Sequence, residues 1–370
     1  KTVSGGSALG SEWPASPVKS GHSFGGWFTG QNGTGQEYTS STIINDNVDL
    51  YAKWIYNYIV DEYTPTHPAY RANIKTEGGD EKTVAVSVGG GGVNVSIEED
   101  PWHTRPQEKA EIIMPAISGV RSYSLGLSAS NLKKGDGQGT LTLNTDVGSI
   151  TIQSNMLAGV AGTDGEKAQI TLGRGDSSNL PEDVRNAIGN RPLIQLTMSI
   201  DGRQVSWSNE DAPVRVSIPY TPTEDELRSP EGIVVWYIDG AGNLVMVPGG
   251  RYDPETGTVS FATTHFSYYA VGYNLKSFKD VPGDAWYAKP VAFIAAREIT
   301  LGTGDGNFSP EGLLTRGQFI VMLMRAYGIA PDVNFTDNFS DAGDTYYTGY
   351  LAAAKRLGIS AGVGNNLFAP

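Results

Sequence analysis

The chain has 370 residues, 18% of them charged, with a formal net charge of −13, 47 glycines and no cysteine. That length implies two to four units. The missing thiols exclude a disulfide framework and a cysteine metal site, and the acidity argues against a nucleic-acid binder, which needs a basic face. No apolar run reaches the roughly 18 residues that span a bilayer, so no membrane span is expected. Glycine and turn residues favour short strands and loops, so the expected fold class is mainly β and multidomain.

Residues 1–56 alternate aromatic strand residues with Gly and Asn turns. Phe24, Trp27 and Phe28 precede Gly33 and Gly35, and Leu50, Tyr51 and Trp54 close the segment. The pattern GxxFxGWFTGxxGTGxxY, followed by VxLYAKW, resembles the bacterial Listeria–Bacteroides repeat, also seen in internalin-B-type B repeats. The resemblance implies a small β-grasp module carried on surface proteins, truncated ahead of Lys1. Trp27 and Trp54 are expected to fill its small core. Residues 57–80 read as a linker, in which Pro65 and Pro68 favour extended backbone and Gly78 and Gly79 add freedom.

Residues 81–274 form the middle region. Residues 83–88 and 93–97 alternate apolar and polar side chains around a Gly89–Gly92 turn. Further strands are expected at 121–128, 139–144, 148–152, 168–172, 194–200, 214–218, 233–238, 244–248, 258–263 and 268–273. Asp201 with Gly202 marks a hairpin turn. Short helical turns are expected at 154–158 and 181–188, and a capped one at 223–227. Many short strands at regular spacing imply one or two antiparallel β-sandwiches.

Residues 275–370 contain one motif twice. The first copy has Phe278, Asp280, Trp286, Gly302, Gly304, Phe308 and Pro310. The second has Phe339, Asp341, Tyr346, Gly362, Gly364, Phe368 and Pro370. Such self-similarity points to stacked modules that share a core. A short helix is expected at 288–297, with Val291, Ile294 and Ala295 on its apolar face. A stronger one runs 315–327, where Phe319, Ile320, Leu323 and Met324 form the buried face and Thr315 with Gln318 spells a capping box. A third is expected at 346–357, ended by Gly358.

This duplicated motif resembles the S-layer homology module. The resemblance divides the region into repeat 1 at 275–332 and repeat 2 at 333–370, the latter cut before its own Thr-Arg helix. It implies α-helical modules packed as a pseudo-threefold prism, whose grooves bind a pyruvylated secondary cell-wall polysaccharide. The matching positions are Asp280, Trp286, Gly302, Gly304, Thr315 and Arg316. Arg316 would pair with a ketal carboxylate, Trp286 would face a sugar ring, and Asp280 would accept sugar hydroxyls or orient Arg316. The chain departs from the family pattern. The usual Thr-Arg-Ala-Glu becomes Thr315, Arg316, Gly317 and Gln318, and Tyr346 replaces Trp in the second copy. Residues 257–271 are also similar to β domains that often precede such modules in secreted bacterial proteins.

Other candidates for chemistry are weaker. His22, His67, His103 and His265 share no metal-ligand spacing, so neither metal nor cofactor is expected. His265 is expected to bond backbone through its side chain. Arg174, Gly175 and Asp176 spell an integrin-type tripeptide but read as a turn. The runs Glu98 to Asp100 and Glu224 to Glu226 read as solvated faces, because glycosidase carboxylates must face each other about 5–5.5 Å apart across a cleft. No catalytic residue is assigned. The reading is a non-enzymatic, extracellular cell-wall or S-layer protein fragment for display or adhesion, with an extracellular glycan or host protein as a further partner. The alternative is the carbohydrate-binding and anchoring part of a secreted polysaccharide-degrading enzyme, with Trp102, Trp207, Trp236 and Tyr237 as a sugar platform.

Overall fold

A computed structural model describes residues 5–19, 22–31, 34–56, 70–102, 107–134 and 137–370. The chain divides into two units, Lys1–Pro68 and Ala69–Pro370. It is mainly β, with several sheets, and three α-helices follow the last strand. Among the described residues no helix is long and apolar enough to cross a membrane.

The first unit holds β1 (Ser7–Ala8), β2 (His22–Phe28), β3 (Glu37–Tyr38), β4 (Ile43–Ile44) and β5 (Tyr51–Tyr56). Strand β2 lies between β3 and β5, and β1 pairs with β4. All these pairings are antiparallel. A register shift between Phe24 and Trp27 in β2 brings their rings edge-to-face at 5.3 Å, and Phe24 meets Trp54 in the same way at 6.0 Å. The three rings supply the apolar contact that so short a sheet needs.

The second unit begins with β6 (Arg71–Thr76), β7 (Glu81–Ala85), β8 (Ser87–Gly89), β9 (Gly92–Ile97), β10 (Lys109–Ile113) and β11 (Ser122–Ser128). It continues with β12 (Thr140–Asn144), β13 (Ser149–Gln153), β14 (Lys167–Arg174), α1 (Glu182–Ile188), β15 (Leu193–Ile200), β16 (Arg203–Val205) and β17 (Val214–Pro219). Then come α2 (Glu224–Arg228), β18 (Ile233–Ile238), β19 (Leu244–Val247), β20 (Arg251–Asp253), β21 (Thr258–Thr263) and β22 (Tyr268–Tyr273). One sheet has the order β20-β21-β17-β13-β12-β10-β6-β7, and the other β19-β18-β22-β15-β14-β11-β9-β8 with β16 beside β15.

The inward side chains of both sheets form one core, in which Ile112, Leu143 and Ile150 from one sheet join Val93, Leu125 and Leu172 from the other. Strand β15 shows how the sequence builds it. Ile194, Leu196, Met198 and Ile200 are buried while their neighbours are half-exposed, the period-two signature of a sheet with one covered face. Helix α1 makes a smaller core of its own, Val184 and Ile188 against Ile238 and Ala270.

Three expectations change. Residues 71–76 lie in the expected linker but form β6, because Ala72 and Ile74 alternate with exposed neighbours and reach the core. The sheets are not purely antiparallel: β9 runs parallel to β11, and β10 parallel to β12. The single run expected at 83–88 changes sheets at Val86, with β7 in one sheet and β8 in the other.

The last part contains α3 (Ala288–Ala296), α4 (Arg316–Ala326) and α5 (Thr348–Arg356). Helices α4 and α5 share a core of Ile320, Val321, Met324, Tyr350, Leu351, Ala353 and Ala354, closed by Phe339 and Phe368. Val321 takes the inward place expected for Phe319, which is exposed. In a helix this apolar, the pattern alone does not select a face.

Candidate functional site

The two copies of the motif have the same internal scaffold. In the first, the Asp280 carboxylate accepts from the backbone N–H of Phe308 at 2.8 Å and of Ser309 at 2.7 Å. In the second, Asp341 accepts from Phe368 and Ala369, both at 2.8 Å. The Phe278 and Phe308 rings lie 5.6 Å apart at 43°, and those of Phe339 and Phe368 lie 5.4 Å apart at 44°. These amide donors hold each aspartate below its ordinary pKa, with the Phe308 and Phe368 N–H groups the largest causes. Asp280 thus ties down the loop of its own repeat and does not contact Arg316.

Gly302 turns this loop with φ +79°, and a Cβ there would collide with the Asn307 carbonyl and stand 2.6 Å from the Phe278 ring. Gly304 has φ +108° with open space around it. Both are demanded by backbone geometry, as left-handed or extended positive-φ conformers disfavour any side chain.

Thr315 caps α4. Its hydroxyl accepts from the Gln318 N–H at 3.1 Å, and the Gln318 side chain accepts from the Thr315 N–H at 2.9 Å. Gln318 therefore fills the structural part of the usual glutamate. Gly317 replaces the usual alanine where Tyr347 presses closest, since a Cβ would lie 3.0 Å from that ring.

Arg316 begins α4 and is exposed. Its Nε donates to the Phe368 carbonyl at 3.1 Å and its guanidinium lies 4.7 Å from the Phe368 ring centre, so it links the two copies. Its Nη groups make no hydrogen bond among the described residues. Trp286 is 87% exposed, and its one ring contact among the described residues is with Tyr287, edge-on at 5.6 Å. Tyr346 and Tyr347 repeat that arrangement at 5.2 Å. No hydrogen bond or ring contact joins Trp286 to Arg316.

Sequence reasoning missed Arg297, the last residue of the expected first helix. It is 2% exposed. Nε and Nη2 donate to the Gly250 carbonyl, Nη2 also to Ile233, and Nη1 to Glu231 and Phe293, all within 2.7–3.1 Å. The guanidinium lies on the Phe293 ring at 3.5 Å. Burial pushes its pKa down to about 10, so it stays charged at neutral pH. Nothing local signals this role, because Gly250, Ile233 and Glu231 lie far away in sequence.

Elsewhere, Trp102 and Trp207 are buried in the core, and Trp236 and Tyr237 are half-buried, so the four make no exposed row. His265 does not bond backbone through its ring. Its buried Nε2 has no partner among the described residues, and the ring packs edge-on against Tyr237 at 4.7 Å, burial lowering its pKa. His67 and His103 lie outside the described residues, as does the side chain of His22. Glu226 is not solvated. It accepts from Tyr220, Thr223 and Arg191, and although burial alone would raise its pKa, these donors hold it below the usual range. Asp176 accepts from the Ser178 N–H in a turn.

The family model described as the S-layer homology domain matches residues 277–320 and 338–370. The two copies are S-layer homology domains. A second model, the Listeria-Bacteroides repeat domain, matches residues 1–53. An amylopullulanase from Thermoanaerobacterium thermosulfurigenes is 30% identical over 50% of this chain and 10% of its own length. An S-layer protein from Bacillus thuringiensis subsp. finitimus is 30% identical over 24% of this chain and 11% of its own. A cell surface protein from Thermoanaerobacter kivui is 35% identical over 28% of this chain and 15% of its own. The chain thus spans only a small part of these relatives. S-layer homology domains indicate cell-wall anchoring, and with the S-layer relatives they put this chain outside the cell, at the wall or S-layer. The matched residues, 277–320 and 338–370, are an anchoring region.

Proposed function

We propose that this chain is the display and anchoring part of a cell-surface protein, held without a covalent bond on a secondary cell-wall polysaccharide through its S-layer homology domains. The observation that carries the reading is the second use of one scaffold, with exposed Trp286 on one loop and the free Nη groups of Arg316 beside the joint between copies. A planar guanidinium with open donors suits a bidentate grip on a carboxylate, and an exposed indole suits the apolar face of a sugar. Pyruvylated amino-sugar ends offer both groups, so they are the ligand proposed for Trp286 and Arg316. Asp280, Gly302, Gly304 and Thr315 shape the support beneath. The middle region acts as a β-sandwich spacer and the first unit as a β-grasp module for display or adhesion, with an extracellular glycan or host protein as partner.

The test is sedimentation of the parent protein with purified wall sacculi. Binding should vanish from sacculi stripped of secondary polymer and weaken where only the pyruvyl ketals are removed. Equal binding to stripped sacculi would refute the anchor reading. The second reading is ancillary service to a secreted polysaccharide-degrading enzyme. It is favoured by the amylopullulanase match, which covers more of the chain than the two domains can supply.

A further inference from the structure

The two S-layer homology domains are alike in their loops but differ in what the C-terminal ends of their helices bury. Helix α5 is covered by α4, through Tyr350, Ala353 and Ala354 against Ile320, Val321 and Met324. Helix α3 buries Val291, at the place of Leu351, and beyond it Ala295, Ala296 and Arg297. The equivalent residues of the second copy are Lys355, Arg356 and Leu357. Lys355 pairs with Asp337, Arg356 pairs with Asp332, and Leu357 is 48% exposed. The copies therefore diverge in chemistry where the first meets the β-rich sheets.

We propose that the β-rich region is the amino-terminal cap of the anchor, and that Arg297 locks the two into one rigid body. Stacked modules bury their faces against neighbours, and the terminal face needs a different cover. Here the cover is the turn Pro230–Gly232 with the strand ends around it. Four carbonyls, those of Glu231, Ile233, Gly250 and Phe293, converge on the guanidinium. Asn274 Nδ2 adds a bond to the Ala296 carbonyl at the end of α3, at 2.6 Å. Three of those carbonyls, Glu231, Ile233 and Gly250, belong to the β-rich region, so a loosened joint takes them away and leaves the guanidinium only the Phe293 carbonyl and ring of its own helix. The cap also closes that face to a further repeat, so the array starts at the first copy, and the sheets keep a fixed attitude to the wall.

Hydrogen exchange on the full chain, read by mass spectrometry, tests this. In the unsubstituted chain α3 should open together with β18. In Arg297→Leu, which installs the side chain found in the second copy, α3 protection should fall at least about tenfold while α5 keeps its own. Asn274→Ala, a milder change, should lower α3 protection in the same direction. Because the chain has no cysteine, paired spin labels at Glu255→Cys and Lys289→Cys give an independent readout. One narrow distance is expected, broadened by Arg297→Leu. A broad distribution in the otherwise unsubstituted chain, or α3 opening independently of β18, overturns the proposal.

Discussion

The loop glycines allow a sharp test of the repeat scaffold. At Gly302 an added methyl meets two penalties: a left-handed backbone costs alanine about 1–2 kcal/mol, and forcing carbon into a filled site costs about 1–3 kcal/mol more. Gly302→Ala should therefore lose about 2–5 kcal/mol of local stability. Gly304→Ala meets open space and carries backbone strain alone, about 1–3 kcal/mol. The second copy repeats the contrast. A Cβ at Gly362 would strike the Leu367 carbonyl and lie 2.7 Å from the Phe339 ring, whereas Gly364 is unobstructed. Opening free energies from hydrogen exchange across residues 299–310 and 359–370 read these losses directly. The expected order is Gly302 worse than Gly304 and Gly362 worse than Gly364. If Gly304→Ala matches or exceeds Gly302→Ala, the steric account of the loop is wrong.

Leu351→Ala empties a fully buried site between α4 and α5 and should cost about 2–5 kcal/mol in urea unfolding of the anchor. Thr315→Ala removes half the capping box and should cost about 1 kcal/mol in the same assay, with Thr315→Ser largely restoring it. Trp286→Ala should change stability by no more than about 0.5 kcal/mol yet weaken binding to sacculi, a split that a buried structural tryptophan would not show. Asp280 and Asp341 titrate below the ordinary aspartate value of 3.8, so the folded loops bind fewer protons than the unfolded chain. Their contribution is present above about pH 4 and lost as pH falls through the lowered folded values. Acid unfolding curves should flatten in Asp280→Asn combined with Asp341→Asn, and an unchanged acid limb would count against the staple.

What the sequence disclosed was local or periodic. The capping box at Thr315 is legible because donor and acceptor lie three residues apart; at 223–227 the sequence reads as a capped turn alone, and the part Glu226 plays in its box shows only in the fold. The duplicated loops were legible because Asp280 and Asp341 hold the same place in each copy. Strand β6 was hidden in a stretch flanked by prolines and glycines, although Ala72 and Ile74 alternate as a strand should. The parallel pairings of β9 with β11 and β10 with β12 depend on crossovers that periodicity does not report. Arg297 read as an ordinary helix end, since the carbonyls of Gly250, Ile233 and Glu231 gather around it only after the sheets assemble. Trp102 and Trp207 show the converse, as composition offered a sugar surface and packing withdrew it.

Helix α4 follows the first motif along the chain yet rests on α5 of the second. Inheritance and packing are thus out of step, like roof tiles that each shelter the edge of the next. Recombination that cut immediately before Phe339 would separate a lid from the body it covers. A crossover between Pro310 and Thr315 would move body and lid together, and it marks where such arrays can be lengthened or shuffled without leaving a bare face.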